Sequence, residues 1–282
     1  MTTFGIVSFI TEYTMPPAEL AVAVEERGFA ALGIPEHTHI PTSRETPYLL
    51  GGDLPKEYWH SHDMLVSAAV ALGATTTLEV GPAICLIPEH HPLTLAKAAA
   101  SLDRVSNGRF FLGAGAGWNA EEMENHGTPF KDRWKITRER ILAMRECWTK
   151  DEPEFHGEFV DFDPVWSYPK PVTLGGPPIL MGAGSKWTWD RIAEYCDGWM
   201  PIDGFNSVED GLEELRAACD RAERDFGELR VEPLEGAPDE ARVTQLMELG
   251  VDRIFFLLPS EEPAAQEKLL DAYTKDLERF SS

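Results

Sequence analysis

Six of the eight histidines in this 282-residue chain fall in three close pairs: His37 with His39, His60 with His62, and His90 with His91. Two of the pairs open on the same four residues, Ile34-Pro35-Glu36-His37 and Ile87-Pro88-Glu89-His90. Imidazole exchanges protons near neutral pH, and a carboxylate beside it can orient or tune it. The chemistry open to these residues is acid–base work or metal binding. The stronger metal signatures, HExxH and paired CxxC, are absent. In an extended segment the side chains of His90 and His91 diverge, which works against chelation, so no metal is expected. His37 differs from the rest because it abuts Glu36 at the end of an apolar run. His39, His62, His90, His126 and His156 read as ordinary surface or hydrogen-bonded histidines.

Elements must bring such residues together. Apolar runs at 4–9, 31–34, 78–87, 109–115, 178–183, 198–202, 229–234 and 253–258 read as strands. Amphipathic segments at 17–28, 62–73, 93–105, 136–148, 186–196, 208–226, 239–250 and 264–280 read as helices. The strands are continuously apolar, which predicts burial on both faces, as in a parallel sheet. Eight βα units predict an α/β fold, a (β/α)8 TIM barrel forming a single domain over 1–282; a doubly wound open sheet is the alternative. Two stretches exceed the repeat, 38–60 after strand two and 149–177 between strands four and five. The second contains EFHGEFVDF, which predicts a hairpin turning at Gly157. Long structured loops are usually functional. In a barrel the loops after the strands gather at one mouth, which would bring the histidine pairs to a common place.

Two glycine-rich turns add candidates. GAGAGWN (113–119) lacks the GxGxxG spacing, and no acidic residue about twenty positions on ends a next strand, so a dinucleotide fold is weakly supported. Small residues there, Gly115 and Gly117 among them, would let a flat ligand approach the mouth. MGAGSKW (181–187) follows strand five and opens a helix. Gly182 and Gly184 can take φ > 0 and expose backbone N–H groups, and Ser185 is placed to cap the helix. A helix N-terminus with bare amides is a ready phosphate site, and a plain capped turn is the alternative reading.

Composition excludes some partners. Lys and Arg total 25 against 48 Asp and Glu, a net charge of −23. A surface that negative repels nucleic acid and anionic membranes. Cys85, Cys147, Cys196 and Cys219 are far apart, as expected of free thiols in a reducing cytoplasm. The N-terminus has no basic segment before an apolar run, so neither signal peptide nor membrane span is expected.

The run LEVGPAICLIPEHHPLTLAKAAASLDRVSNGRFFLGAGAGWNAEEMENHG (78–127) resembles the luciferase-like monooxygenase superfamily, as do GIPEHTHIP and PPILMGAGSKWTWDRIAEYCDGWMP. These segments span most of residues 4–205 in order. The similarity is greatest to oxidoreductases that use the deazaflavin coenzyme F420, and FHGEFVDFDPVWSYPKP shares it. The resemblance implies a (β/α)8 barrel, a homodimer, and a flavin-like ring at the mouth. It implies that Glu36-His37 are the acidic residue–His pair near the hydride-accepting carbon. It places a non-prolyl cis peptide behind the ring at Ala83-Ile84, or one residue later at Cys85. It makes Gly182–Ser185 part of the loop that binds the cofactor phosphate. Two positions depart from the sugar-phosphate dehydrogenase relatives: Trp118 stands where they carry a catalytic carboxylate, and Phe205 stands near the place of their phosphate-binding lysine.

The expectation is an F420-dependent oxidoreductase moving a hydride between the deazaflavin and a small organic substrate. His37 would exchange a proton, with Glu36 orienting it. Ala83, Ile84, Cys85, Gly115, Gly117, Gly182, Ala183, Gly184 and Ser185 would hold the cofactor. Trp59, His60, His91, Trp118 and Trp166 would line the substrate pocket. The alternatives are an FMN-dependent monooxygenase using O₂ and a non-catalytic flavin- or F420-binding protein.

Overall fold

A computed structural model describes residues 1–202, 204–205 and 207–280. In chain order the strands are β1 Thr3–Val7, β2 Ala31–Ile34, β3 Glu79–Pro82, β4 Cys85–Leu86, β5 Leu112–Gly115, β6 Phe155–His156, β7 Asp161–Phe162, β8 Ile179–Met181, β9 Gly198–Trp199, β10 Arg230–Val231, β11 Leu234–Glu235 and β12 Arg253–Leu257. The α-helices are α1 Pro17–Glu26, α2 Glu57–His60, α3 Met64–Ala74, α4 Pro92–Ser106, α5 Ala120–Asn125, α6 Arg133–Thr149, α7 Thr188–Tyr195, α8 Val208–Arg221, α9 Glu240–Glu248 and α10 Pro263–Leu277.

The fold is α/β with parallel pairing. One five-stranded sheet runs β11-β12-β1-β2-β3 and the other β10-β9-β8-β5-β4, while β6 and β7 pair antiparallel as a separate hairpin. The two sheets share two continuous segments of chain. In the first, the apolar run 78–87 is one strand by composition but two by pairing: β3 pairs with β2, and β4 pairs with β5. The Ala83-Ile84 peptide between them is cis, at the place the resemblance implied. In the second, 229–234 is likewise divided, β10 pairing with β9 and β11 with β12. Period and composition reveal that such a stretch is extended; they do not reveal a change of partner midway.

Burial explains the apolar strands. A large core cluster lies between strands and helices, with Ile6, Leu32, Val80, Leu112, Ile179 and Ile254 among its members. A second, smaller cluster takes Val7, Ala31, Phe111, Leu180, Met200 and Phe255 from both sheets. Residues of both clusters alternate along the strands, which is why the strands read as apolar throughout. The long connections fall where the sequence predicts them. Residues 35–63 carry only the short α2, and residues 150–178 carry the β6–β7 hairpin, in which the Gly157 N–H donates to Val160 O at 2.8 Å.

Close packing fixes the strand ends at one point. A Cβ on Gly113 would lie 2.3 Å from Pro82 O and 3.2 Å from Ile84 Cδ1. Gly113→Ala should therefore destabilise the fold by about 1–3 kcal/mol or more, as overpacking against backbone does. Urea denaturation measures it, and an unchanged midpoint would mean that β3 and β5 can part without cost.

Candidate active site

The strand ends surround a cavity of about 500 Å³. Its walls are largely apolar: Val7 ends β1, Ala83, Ile84 and Leu86 come from the 79–86 segment, Leu257 ends β12 and Leu258 follows it. The connection after β2 closes one side with Tyr48, Leu49, Leu50 and Tyr58. Glu36, Glu57, Glu235 and His37 line it as well, and among the described residues no Lys or Arg does.

His37 is 8% exposed and sits where the chain leaves β2. Its Nδ1 lies 2.7 Å from Glu122 Oε2. On the other side, the Trp118 Nε1–H donates to His37 Nε2 at 3.3 Å. Indole nitrogen only donates, so Nε2 is the acceptor and Nδ1 carries the hydrogen given to Glu122. Tyr58 and Trp118 rings stand 5.1 and 5.7 Å from the imidazole, centre to centre. Glu122 is wholly buried. Asn119 places it by capping α5: its side chain accepts from the Glu122 N–H at 3.2 Å.

The partner expected of His37 was Glu36, and the structure gives Glu36 to others. Its Oε2 accepts the Leu86 N–H at 2.6 Å, and its Oε1 lies 2.6 Å from His90 Nε2. Burial opposes the charged His90 imidazole, yet the hydrogen bond and charge of Glu36 hold its pKa above the ordinary value. His90 is thus an inward-facing partner of a buried carboxylate, not a bystander. Cys85 lies close enough that single ligand atoms of Glu36, Cys85 and His90 fall within 4.8 Å of one another. Both Glu36 oxygens already have donors, and burial followed by the Glu36 charge pushes the Cys85 thiol well up. That chemistry suits a hydrogen-bonded carboxylate more than a metal. Cys85 is fully buried and outside the cavity lining.

A third carboxyl lies nearby. The Glu89 side chain is 1% exposed, and its Oε2 has no hydrogen-bond partner. Burial, then the charges of Glu122 and Glu36, push it up to about 9. It is therefore uncharged at neutral pH.

Several expected positions need correction. The glycines do not leave room for a flat ligand. A Cβ on Gly115 would lie 3.0 Å from Ile84 Cγ2, and one on Gly182 would lie 2.5 Å from Ile84 Cδ1. The Ile84 side chain occupies that space. Gly117, at φ 76°, faces Met123 at 2.7 Å from its would-be Cβ, and Glu89 beyond. Among the described residues neither Gly182 nor Gly184 has positive φ. Ser185 does not cap the helix, because α7 begins at Thr188; instead Thr188 Oγ1 accepts the Ser185 N–H at 2.9 Å. The Gly182 N–H donates to Ala114 O, and Ala183 O accepts from Trp199 Nε1. The 182–185 turn thus offers fewer open amides than its composition suggests, and it lies outside the cavity lining.

Of the aromatic and histidine candidates, Trp118 lines the cavity and Trp59, His60, His91 and Trp166 do not. Trp59 is 49% exposed, on the outside of α2, while its neighbour Tyr58 points in. His60 Nδ1 pairs with Glu12 at 2.5 Å. His91 is exposed at the start of α4. Trp166 is 80% exposed, its Nε1–H donating to Glu152. Phe205 lines the rim. Sequence reasoning missed Glu122, Glu89, His90 and Tyr58. For Glu122 a signal existed, since Asn119 followed three residues later by Glu is a helix-start pattern.

The family model described as luciferase-like monooxygenase matches residues 15–233. The chain is 36% identical over 259 residues to the uncharacterized protein Rv0953c of Mycobacterium tuberculosis (strain ATCC 25618 / H37Rv), covering 91% of this chain and 92% of that one. The monooxygenase RslO1 from Streptomyces bottropensis superposes with a TM-score of 0.81 at 19% identity, over all of both chains. An F420-dependent secondary alcohol dehydrogenase in complex with an F420-acetone adduct superposes at 0.78 with 17% identity, over 98% of each chain. At such identities the two solved structures speak to the fold alone. Among the described residues no helix is long and apolar enough to cross a membrane.

Glu89 gives a measurable signature. Its folded pKa is raised from 4.5 to about 9. The stability it contributes is full below the unfolded value and is lost as pH rises through that window. Thermal midpoints from pH 5 to 9 should fall less steeply in Glu89→Gln than in the parent protein. Parallel slopes would show that Glu89 is charged throughout.

Proposed function

The chain belongs to the luciferase-like monooxygenase family, and from that premise we propose that it is an F420-dependent oxidoreductase acting on a small, uncharged organic substrate. The observation that carries this is His37. Its ring is buried, tied by Nδ1 to a buried carboxylate, and its Nε2 stands with Trp118 at an apolar cavity. Glu122 keeps the imidazole in one tautomer and stabilises the imidazolium that forms when Nε2 takes a proton. Release of that proton is the reverse step. Glu36, bonded to Leu86 and His90, holds the segment after β4 rather than tuning His37 directly.

The cavity suits a planar ring. Ala83, Ile84 and Leu86 offer an apolar wall, and Ile84 is wedged against Gly113, Gly115 and Gly182 so that it cannot recede. Bound there, the deazaflavin would supply the hydride acceptor or donor. The cyclic order of strand pairings supports a single closed (β/α)8 barrel presenting this mouth. Among the described residues the lining carries Glu57 and no Lys or Arg, which disfavours anionic substrates. The likeness in sequence to the F420 branch supports deazaflavin over FMN.

His37→Ala should lower turnover by roughly 10²–10⁴-fold, the range for a lost acid or base, with little change in cofactor binding. Fluorescence titration with F420 and with FMN checks the second half, and tighter FMN binding would favour an oxygen-using monooxygenase. Spectral shifts without any turnover across alcohols, aldehydes and enones would leave a binding protein.

A homodimer is part of the proposal. The outer face of α3 exposes Val66 at 63% and Val70 at 41%, an apolar surface on an otherwise acidic protein. The double variant Val66→Glu/Val70→Glu should halve the mass in light scattering; a parent protein that is already monomeric would end this part of the reading.

A further inference from the structure

Five large apolar side chains that are 38–64% exposed line the cavity. They come from three separate stretches of chain: Leu49 and Leu50 from the connection after β2, Ile202 and Phe205 after β9, and Leu257 at the end of β12. Single exposed apolar residues are ordinary, but several converging on one opening mark a surface kept for a ligand. The two leucines are held in place. The Gly51 N–H donates to Tyr48 O at 2.9 Å, which closes a turn with Leu49 and Leu50 at its two central positions. Tyr48 is itself tied to Tyr58 through their hydroxyls at 3.1 Å, and the Thr46 N–H donates to Glu121 Oε1 at 2.8 Å. Turn centres ordinarily take Pro, Gly, Asn, Asp or Ser, whose backbone preferences or short polar side chains suit them. Two leucines there go against local chemistry, and such a break points to function.

The size of the cavity points the same way. At about 500 Å³ it is of the order that takes one drug-sized ligand. With a flat ring against Ala83, Ile84 and Leu86, the space left beside His37 admits the reacting end of a second molecule, not its whole body. The body then lies along the exposed apolar side chains. His37 Nε2 is an acceptor, met by the Trp118 N–H at the long distance of 3.3 Å, so a hydroxyl suits the reacting end.

We propose that the substrate is a neutral molecule with one polar end and an apolar body that extends out of the cavity, and that Leu49 and Leu50 select it by covering that body. This rests on the cavity being the substrate site of the reading above. Contact with the leucines removes apolar surface of both partners from water, so affinity should grow with the length of the body.

Straight-chain alcohols from butan-1-ol to decan-1-ol test this, with dissociation constants taken from the tryptophan fluorescence of the protein. Affinity should rise by roughly threefold to fourfold per added methylene. In Leu49→Asn/Leu50→Asn, octan-1-ol and longer alcohols should bind at least about tenfold more weakly, the loss of a few covered methylenes, with butan-1-ol little changed. Both leucines are exposed, so the urea midpoint of the double variant should match that of the parent. No gain with chain length, or the same gain in the double variant, overturns the proposal. Octanoate should bind more weakly than octan-1-ol, and equal binding overturns the neutral class. Length-dependent binding without turnover in the presence of F420 would end the functional reading and leave the apolar rim standing. Turnover with F420 that ignores chain length would do the reverse.

Discussion

Three carboxyl groups, on Glu36, Glu89 and Glu122, share one buried region at the mouth, and a buried charge must be paired or neutralised. Each meets the requirement differently. Glu36 takes the Leu86 N–H and His90. Glu122 takes His37. Glu89 has no donor on its Oε2 and stays protonated. The assignment is collective, because Glu89 is neutral partly on account of the other two charges. His37 is orientated by Glu122, and the cap of α5 by Asn119 puts that acceptor within reach.

The opposite wall depends on packing rather than charge. Ile84 lies across the ends of β5 and β8, and the glycines at 113, 115 and 182 are small because its side chain is there. Interiors this dense transmit displacement instead of absorbing it. The cavity therefore has one wall fixed by contact and another fixed by a buried acid, while the aromatic side chains of Tyr48, Tyr58 and Trp118 bridge the rim between them. Tyr48 and Tyr58 are joined through their hydroxyls at 3.1 Å. The strap that carries Tyr48 is pinned to α5 where the Thr46 N–H donates to Glu121 Oε1 at 2.8 Å. Burial opposes the Glu121 anion, but Thr46 and backbone donors bring it down to about 2.

Much of this was legible in the sequence. Apolar runs gave the strands, the excess lengths gave the two long connections, and the end of β2 gave the place of His37. Side-chain pairing was not legible, and the reason is geometric. Neighbours on an extended backbone point apart. That argument, applied to His90 and His91, correctly separates them: one turns in to Glu36 and the other is exposed. Applied equally to Glu36 and His37 it would have separated those too, and their adjacency in sequence would not have been read as a pair. The glycine turns misled for a related reason. Composition shows that a Cβ is missing at 115 and 182, and only the fold shows whether a ligand or Ile84 fills the space. Trp59 and Tyr58 show the same limit on a short helix, where a shift of one residue decides which ring faces the cavity.

His37 is where these two halves meet. Its Nε2 belongs to a cavity walled by apolar and aromatic groups, and its Nδ1 belongs to a cluster of acids and imidazoles. Hydride transfer is best served by a site that excludes water, whereas proton exchange needs a connection to it. A single opening cannot meet both needs. Placing the imidazole between an apolar face and a polar one separates them in space, with Glu122 bonded to His37 and Glu36 bonded to His90 across the boundary. On this view the acidic cluster is not a by-product of a negative protein. Within it, burial together with the neighbouring Glu122 and Glu36 raises the pKa of Glu89, while Glu122 and Glu36 keep imidazole partners.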